Sequence, residues 1–226
     1  MNLSERNYKY LGTLSVFFVS ILLISNVAST KIVDFGQFTF DGGTLLFPLS
    51  YIFGDILTEV YGYKKTRDVI WLGFFSALMM SIIFIIVGKL PAAAGWNNQA
   101  AYDAILGLTP RIVIASLIAY ACGNFSNSFV LAKMKLWTGG KYLWTRTIGS
   151  TVVGELIDST LFILIAFLYI FPSSLLFKLI ISNYIFKTLV EVVFTPITYK
   201  VVNFLKKNEL EDYYDKDTNF NPFTTK

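Results

Sequence analysis

The chain has no histidine and one cysteine, Cys122, and only 15% of its 226 residues are charged. Each scarcity removes a class of chemistry. Without imidazole there is no Ser-His-Asp base and no proton relay tuned near neutral pH. Without a set of thiolates or imidazoles, a zinc or iron site has no ligands, so neither a metal nor another cofactor is expected. A lone cysteine in an apolar stretch has no disulfide partner, and core packing is the role expected of Cys122. The low charge goes with 54% hydrophobic and 17% aromatic content and a mean hydropathy of +0.57, values that belong to a chain solvated largely by lipid.

What fills the chain is six apolar runs: approximately Leu11 to Ser29, Thr44 to Val60, Val69 to Val87, Ile112 to Leu131, Ile148 to Ile170 and Leu175 to Val202. Each has about 17 residues or more, the length a helix needs to cross a hydrocarbon core of roughly 30 Å. The pattern predicts an all-α, polytopic membrane protein of six spans. The sixth run is overlong and contains Pro196, where a tilt or break is expected. A membrane domain over 1–205 is followed by a polar tail over 206–226, KKNELEDYYDKDTNFNPFTTK, expected to be a mobile extension without a fold of its own. The basic start before the first run resembles a signal peptide, but the run is span-length and Ile24-Ser25-Asn26-Val27-Ala28 is a poor cleavage site.

Basic residues sort by side. Arg6, Lys9, Lys64, Lys65, Arg67, Lys133, Lys135, Lys141, Arg146, Lys200, Lys206, Lys207, Lys216 and Lys226 fall on one side, 14 of the 19; Lys31, Lys89, Arg111 and Lys178 fall on the other. Cation-rich connections stay in the cytoplasm, so both termini are expected there. The isoelectric point near 9.0 is then a topological signal and no sign of nucleic-acid binding. The remaining cation, Lys187, lies inside the last run.

An ionisable side chain at bilayer depth costs at least about 2.5 to 3.5 kcal/mol on insertion scales, so each one inside a span asks for a function or a partner. The second run carries Asp55 and Glu59 at i, i+4, and the fifth carries Glu155 and Asp158 at i, i+3, each pair on one helix face. The sixth carries Asn183, Lys187 and Glu191 as one stripe. The first adds Ser25, Asn26 and Ser29, and the fourth adds Asn124, Ser126, Asn127 and Ser128. The third, VIWLGFFSALMMSIIFIIV, has no charge and reads as a peripheral, lipid-facing helix. Gly54-Asp55 to Val60 resembles Gly154-Glu155 to Thr160, which suggests two inverted three-helix repeats whose acidic pairs meet near the centre. Five acids against one lysine cannot all stay charged in low dielectric, which points to proton uptake or a cationic substrate; Lys187 could equally serve architecture by bridging Asp55 or Asp158.

FPLSYIFGDILTEVYGY (Phe47 to Tyr63), RIVIASLIAYACGNFSNSFVLAKMK (Arg111 to Lys135), TRTIGSTVVGELIDSTLFILIAF (Thr145 to Phe167) and YIFKTLVEVVFTP (Tyr184 to Pro196) together resemble the queuosine precursor transporter family, also called the vitamin uptake transporter family. The resemblance covers nearly the whole chain apart from its two ends. It implies import of a 7-deazaguanine base, such as 7-cyano-7-deazaguanine or its aminomethyl relative, across the cytoplasmic membrane of a bacterium, and no enzymatic activity. It carries central polar positions onto Asn26, Asp55, Glu59, Glu155, Asp158, Lys187 and Glu191, with Asn124, Asn127 and Arg146 beside them.

The substrate class suits the residues. A guanine-like edge pairs a ring N–H with an exocyclic amine, which one carboxylate can accept bidentately, and its carbonyl can take a bond from lysine or asparagine. Tyr51, Phe53, Tyr120, Phe162, Tyr184 and Phe186 could wall a flat ring. An intramembrane aspartyl protease is excluded, because Ile52 stands where that motif needs glycine. A channel lacks rings and a polar stripe through every helix. The alternative is a substrate-binding membrane subunit of a multi-component vitamin importer, though Ala28 has no small companion at Ile24 or Ile32 to dock a partner. A homo-oligomer is compatible with all of this.

Overall fold

The computed structural model describes residues 7–35, 38–107, 110–169 and 172–224. Arg6, Ile170 and Lys226, which belong to the charge count or the fifth apolar run, lie outside the described residues.

Helices dominate: α1 (Leu11–Ala28), α2 (Phe47–Tyr61), α3 (Tyr63–Gly88), α4 (Gln99–Leu106), α5 (Pro110–Thr138), α6 (Leu143–Phe167) and α7 (Ser173–Glu209). The described chain thus has seven helices; α4 is a short one in the connection between α3 and α5. A small antiparallel hairpin, β1 (Ile32–Phe35) and β2 (Phe38–Asp41), joins α1 to α2 with Ile32 opposite Asp41. Four helices, α1, α3, α5 and α6, are long and apolar enough to cross a membrane. At 15 residues α2 is about 22 Å long, and at 37 residues α7 is about 55 Å. Of the tilt or break expected near Pro196, the break is absent: Pro196 lies within a continuous α7.

The molecule is apolar outside and polar within. α3 presents Leu72, Phe75, Met79, Ile82, Ile83 and Ile86 outward, and α7 presents Ile185, Leu189, Val193 and Ile197. Buried instead are Ser50, Asp55, Thr58, Glu59, Arg146, Ser150, Glu155, Asp158, Lys187 and Glu191. A surface of this kind suits lipid, where apolar exposure costs nothing and polar groups must be satisfied internally. Cys122 points outward, so the core role expected of it is corrected: the α5 face that packs on α6 belongs to smaller or polar neighbours, Gly123 and Asn127.

Two positions need glycine. Gly62, with φ of 85°, ends α2 and starts α3 in a single residue, a conformation that side chains with a Cβ avoid. Gly123 and Gly154 let α5 and α6 approach until a Cβ on Gly154 would stand 3.1 Å from the Gly123 carbonyl oxygen. Tyr51 of α2 is wedged into that crossing, its Cε1 2.9 Å from the same Cβ position.

The polar tail is docked, contrary to the expectation of a foldless extension. α7 runs to Glu209, and the residues after it lie across the ends of α2, α3 and α5. Tyr213 donates its amide to the Val60 carbonyl at 3.2 Å, Asp215 accepts the Tyr63 amide at 3.1 Å, and the Trp71 indole donates to the Pro222 carbonyl at 2.8 Å. Composition marks a segment as too polar for a core of its own, but it does not reveal a groove made elsewhere in the chain.

Candidate functional site

Two buried ionic clusters lie one above the other. The upper is built by α2, α5, α6 and α7. Glu155 and Asp158, one turn apart on α6, share the ammonium of Lys187, which donates to Asp158 Oδ2 at 2.6 Å and lies 3.1 Å from Glu155 Oε2. The same ammonium sits 4.7 Å from the centre of the Phe47 ring, a cation–π contact. Asp55 does not join this bridge. Its Oδ1 accepts from Asn127 Nδ2 at 2.5 Å and from Ser150 Oγ at 3.4 Å, so the alternative bridge from Lys187 to Asp55 is replaced by an amide and a hydroxyl from α5 and α6. The i, i+3 spacing on α6 puts both acids within reach of one lysine on α7, whereas Asp55 is turned toward α5.

Glu191, one turn beyond Lys187, is buried near Asp55 and Glu155 and has no hydrogen bond to either carboxylate oxygen. Tyr51 Oη, Asp55 Oδ2, Asn127 Oδ1, Thr151 Oγ1, Glu155 Oε1, Ser159 Oγ and Thr188 Oγ1 are likewise buried without a hydrogen-bond partner in the protein. Native interiors seldom leave such groups unpaired, since each costs about 1–3 kcal/mol. Those on Tyr51, Asp55, Asn127, Glu155 and Glu191 belong to the residues of the upper cluster.

The lower cluster surrounds Glu59, one turn below Asp55 on α2. Arg146 of α6 donates to it through Nη2 at 2.7 Å and Nε at 3.3 Å, and Lys206 of α7 through Nζ at 2.6 Å. Lys135 of α5 lies 3.6 Å from the same carboxylate and donates to the Glu59 carbonyl at 2.5 Å and to Asp212 at 2.5 Å. Arg146 also donates to the Lys141 carbonyl.

The candidate residues therefore divide. Asp55, Asn127, Glu155, Asp158, Lys187 and Glu191 gather in the upper cluster. Glu59 is in the lower one with Arg146. Asn124 bonds the Tyr120 carbonyl of its own helix at 3.0 Å, with its side-chain oxygen beside Gly54. Asn26 bonds the Leu22 carbonyl and accepts from Ser116 at 3.3 Å, linking α1 to α5 away from the centre. Of the aromatic candidates, Tyr51 borders the acids; Tyr120 donates to the Ile70 carbonyl at 3.1 Å and packs α5 on α3; Phe53 lies between α1 and α7 beside Phe17 and Phe204. Phe47, Ser150, Thr151, Ser159 and Asp212 are not among the candidates read from sequence, and Lys135 and Lys206 are counted there only as loop cations. A signal for three of them exists in Thr147, Ser150, Thr151, Gly154, Asp158 and Ser159, a small and polar stripe at helical spacing on α6.

A family model described as "Putative vitamin uptake transporter" matches residues 41–201. The "Probable queuosine precursor transporter" of Bacillus subtilis (strain 168) is 27% identical over 207 residues, covering 89% of this chain and 90% of that one. The "Queuosine precursor transporter" of Escherichia coli (strain K12) is 25% identical over the same length and the same shares. The "Probable queuosine precursor transporter" of Haemophilus influenzae is 27% identical over 158 residues, 68% of this chain and 63% of that one. No solved structure matches the chain. The matched stretch holds all of α2, α3, α5 and α6, most of α7, and every ionisable residue of the upper cluster, and on that breadth the chain belongs to the vitamin uptake transporter family, as a multi-pass membrane transporter and not an enzyme.

Proposed function

We propose that this protein imports a queuosine precursor, a 7-deazaguanine base such as 7-cyano-7-deazaguanine or its aminomethyl form, across the cytoplasmic membrane, binding it in the upper cluster. The observation that carries the reading is the set of buried acceptors without partners: Asp55 Oδ2, Glu155 Oε1 and both oxygens of Glu191. A guanine-like edge supplies paired N–H donors to such carboxylates. Asn127, Thr151 and Ser159 offer further polar contacts, and Tyr51 and Phe47 offer flat walls. The printed names of the relatives support the substrate class.

Six spans, in two three-helix halves related by inversion, with both termini in the cytoplasm, accompany this reading. α2 is shorter than a lipid-exposed span, but it is buried at nearly every position, and a helix enclosed by protein need not match bilayer thickness. The second reading, a substrate-binding subunit that needs partner proteins, differs in one measurable respect. Purified protein in liposomes should accumulate a labelled deazaguanine saturably, with weak competition by guanine. Binding without uptake would favour the partner-dependent subunit, and neither binding nor uptake would overturn the substrate class.

A further inference from the structure

The lower cluster and the docked tail occupy one place. Asp55 of the upper cluster and Glu59 of the lower are neighbours on α2, about 6 Å apart along the helix, so a molecule leaving Asp55 toward the cation-rich face meets Glu59 first. Glu59 is fully buried and ties together the ends of α5, α6 and α7 through Lys135, Arg146 and Lys206. Three cations against one carboxylate leave an excess of positive charge, and the tail supplies the balancing acid: Asp212 lies 2.5 Å from the Lys135 ammonium and 2.8 Å from that of Lys206.

Beyond Asp212 the tail follows a track made for it. Tyr63, Arg67 and Trp71, at i, i+4 and i+8 on one face of α3, donate in turn to main-chain carbonyls of the tail. Tyr63 Oη reaches Phe220, Arg67 reaches Asn219 and Asn221, and Trp71 reaches Pro222, at 2.8 to 3.3 Å. The Phe220 ring packs on Tyr63 and Phe129 and lies under the Lys133 ammonium, 4.1 Å from its centre. Two connections yield space as well. A Cβ on Gly62 would stand 2.2 Å from the Tyr213 ring, and one on Gly140, which also has positive φ, 2.0 Å from Tyr214 Oη. Successive tail tyrosines thus fill notches left by glycine in the α2–α3 and α5–α6 connections.

We propose that residues 210–224 are a strap that closes the exit from the upper cluster on the cation-rich face, that Glu59 is the positioning residue it holds in place, and that each transport cycle requires its release. This rests on the transport reading and on that face being cytoplasmic. The strap lies outside residues 41–201, the stretch matched by the family model. Release removes Asp212 and leaves Lys135, Arg146 and Lys206 around one carboxylate, so like-charge repulsion and hydration then part the ends of α5, α6 and α7. Burial pushes the Asp212 carboxyl up, but hydrogen bonds from Lys135 and Lys206 outweigh it and hold Asp212 below the ordinary carboxylate range. It is therefore ionised when docked.

The test needs no substrate. In a Cys122→Ser background, Ser150→Cys places a thiol beside Asp55, and an impermeant maleimide is applied to sealed vesicles from the tail side. Chain ending at Glu209 should label at least tenfold faster than full-length chain. Full-length protein carrying Phe129→Cys and Phe220→Cys, joined by a short cleavable bis-maleimide before Ser150→Cys is exposed to label, should label more slowly than the unjoined protein and recover on cleavage. Should the shortened chain fail to fold, the joined protein still decides. Equal labelling of joined and unjoined protein overturns the strap. Altered labelling, with neither binding nor uptake of a deazaguanine by the protein without these substitutions, keeps the strap and sinks only the substrate reading.

Discussion

Lys187 is held by two acids of a neighbouring helix, and the energetics of that arrangement separate a structural lysine from a functional one. Removing one member of a buried ion pair leaves an uncompensated charge and costs about 3–5 kcal/mol. Lys187→Met should therefore lower the unfolding temperature in detergent and abolish uptake. Lys187→Met with Asp158→Asn removes one charge of each sign, and most of the lost stability should return. If Lys187 and Asp158 also meet substrate, uptake stays absent in the stable double variant; restored uptake would make the pair architectural. These residues were legible in the sequence because ionisable groups stand out against apolar runs. The partner of Lys187 was legible only as a choice between Asp55 and Asp158, of which the structure shows Asp158, because helical spacing gives the face on which Glu155 and Asp158 lie but not which neighbour that face meets. Lys135 and Lys206 were legible only as loop cations, since a charge count sorts residues by side and ignores that a long stem can turn inward to Glu59.

At the scale of elements, the crossing of α5 and α6 sets how closely Tyr51 and Asp158 pack. Gly123 and Gly154 stand where the helices come closest, and Tyr51 closes the gap with its hydroxyl. A Cβ at 123 would lie 2.3 Å from Tyr51 Oη, 2.9 Å from Asp158 Cβ and 3.2 Å from the Gly154 carbonyl oxygen. One of the three must move, and overpacking of this kind costs about 1–3 kcal/mol. Gly123→Ala should lower the unfolding temperature and, by shifting Asp158, weaken substrate binding at least tenfold. Adding Tyr51→Phe removes the nearest atom and should recover part of the stability. No change in either property for Gly123→Ala would mean the helices separate without cost. The glycine before each acid was visible as a sequence echo, Gly54-Asp55 and Gly154-Glu155, but the structure gives the two different work: Gly154 admits Tyr51, whereas a Cβ on Gly54 would meet nothing nearer than 3.7 Å. Six of the seven helices were legible from apolar runs. α4 was not, since eight residues between two spans carry no periodic signal strong enough to separate helix from loop.

The whole molecule turns an apolar exterior to lipid and gathers its charge inside, so its orientation is decided by the cations left at its ends. Lys9, Lys64, Lys65, Lys133, Lys141, Lys200, Lys207 and Lys216 lie with the docked tail, while the connection from Lys89 to Asn98 is exposed at the other end and carries one cation. Translocating the cation-rich end would oppose the bias that keeps such loops in the cytoplasm. Asn98→Cys, in a Cys122→Ser background needed because Cys122 is itself exposed, should therefore react with an impermeant maleimide in intact cells. Asp217→Cys is the companion, chosen because Asp217 is exposed although Asp215 beside it is buried, so its labelling reports the side of the membrane and not the docking of the tail. It should react only after lysis. The opposite pattern would place the strap and the Glu59 cluster outside, and substrate would then meet Glu59 on entry instead of on exit.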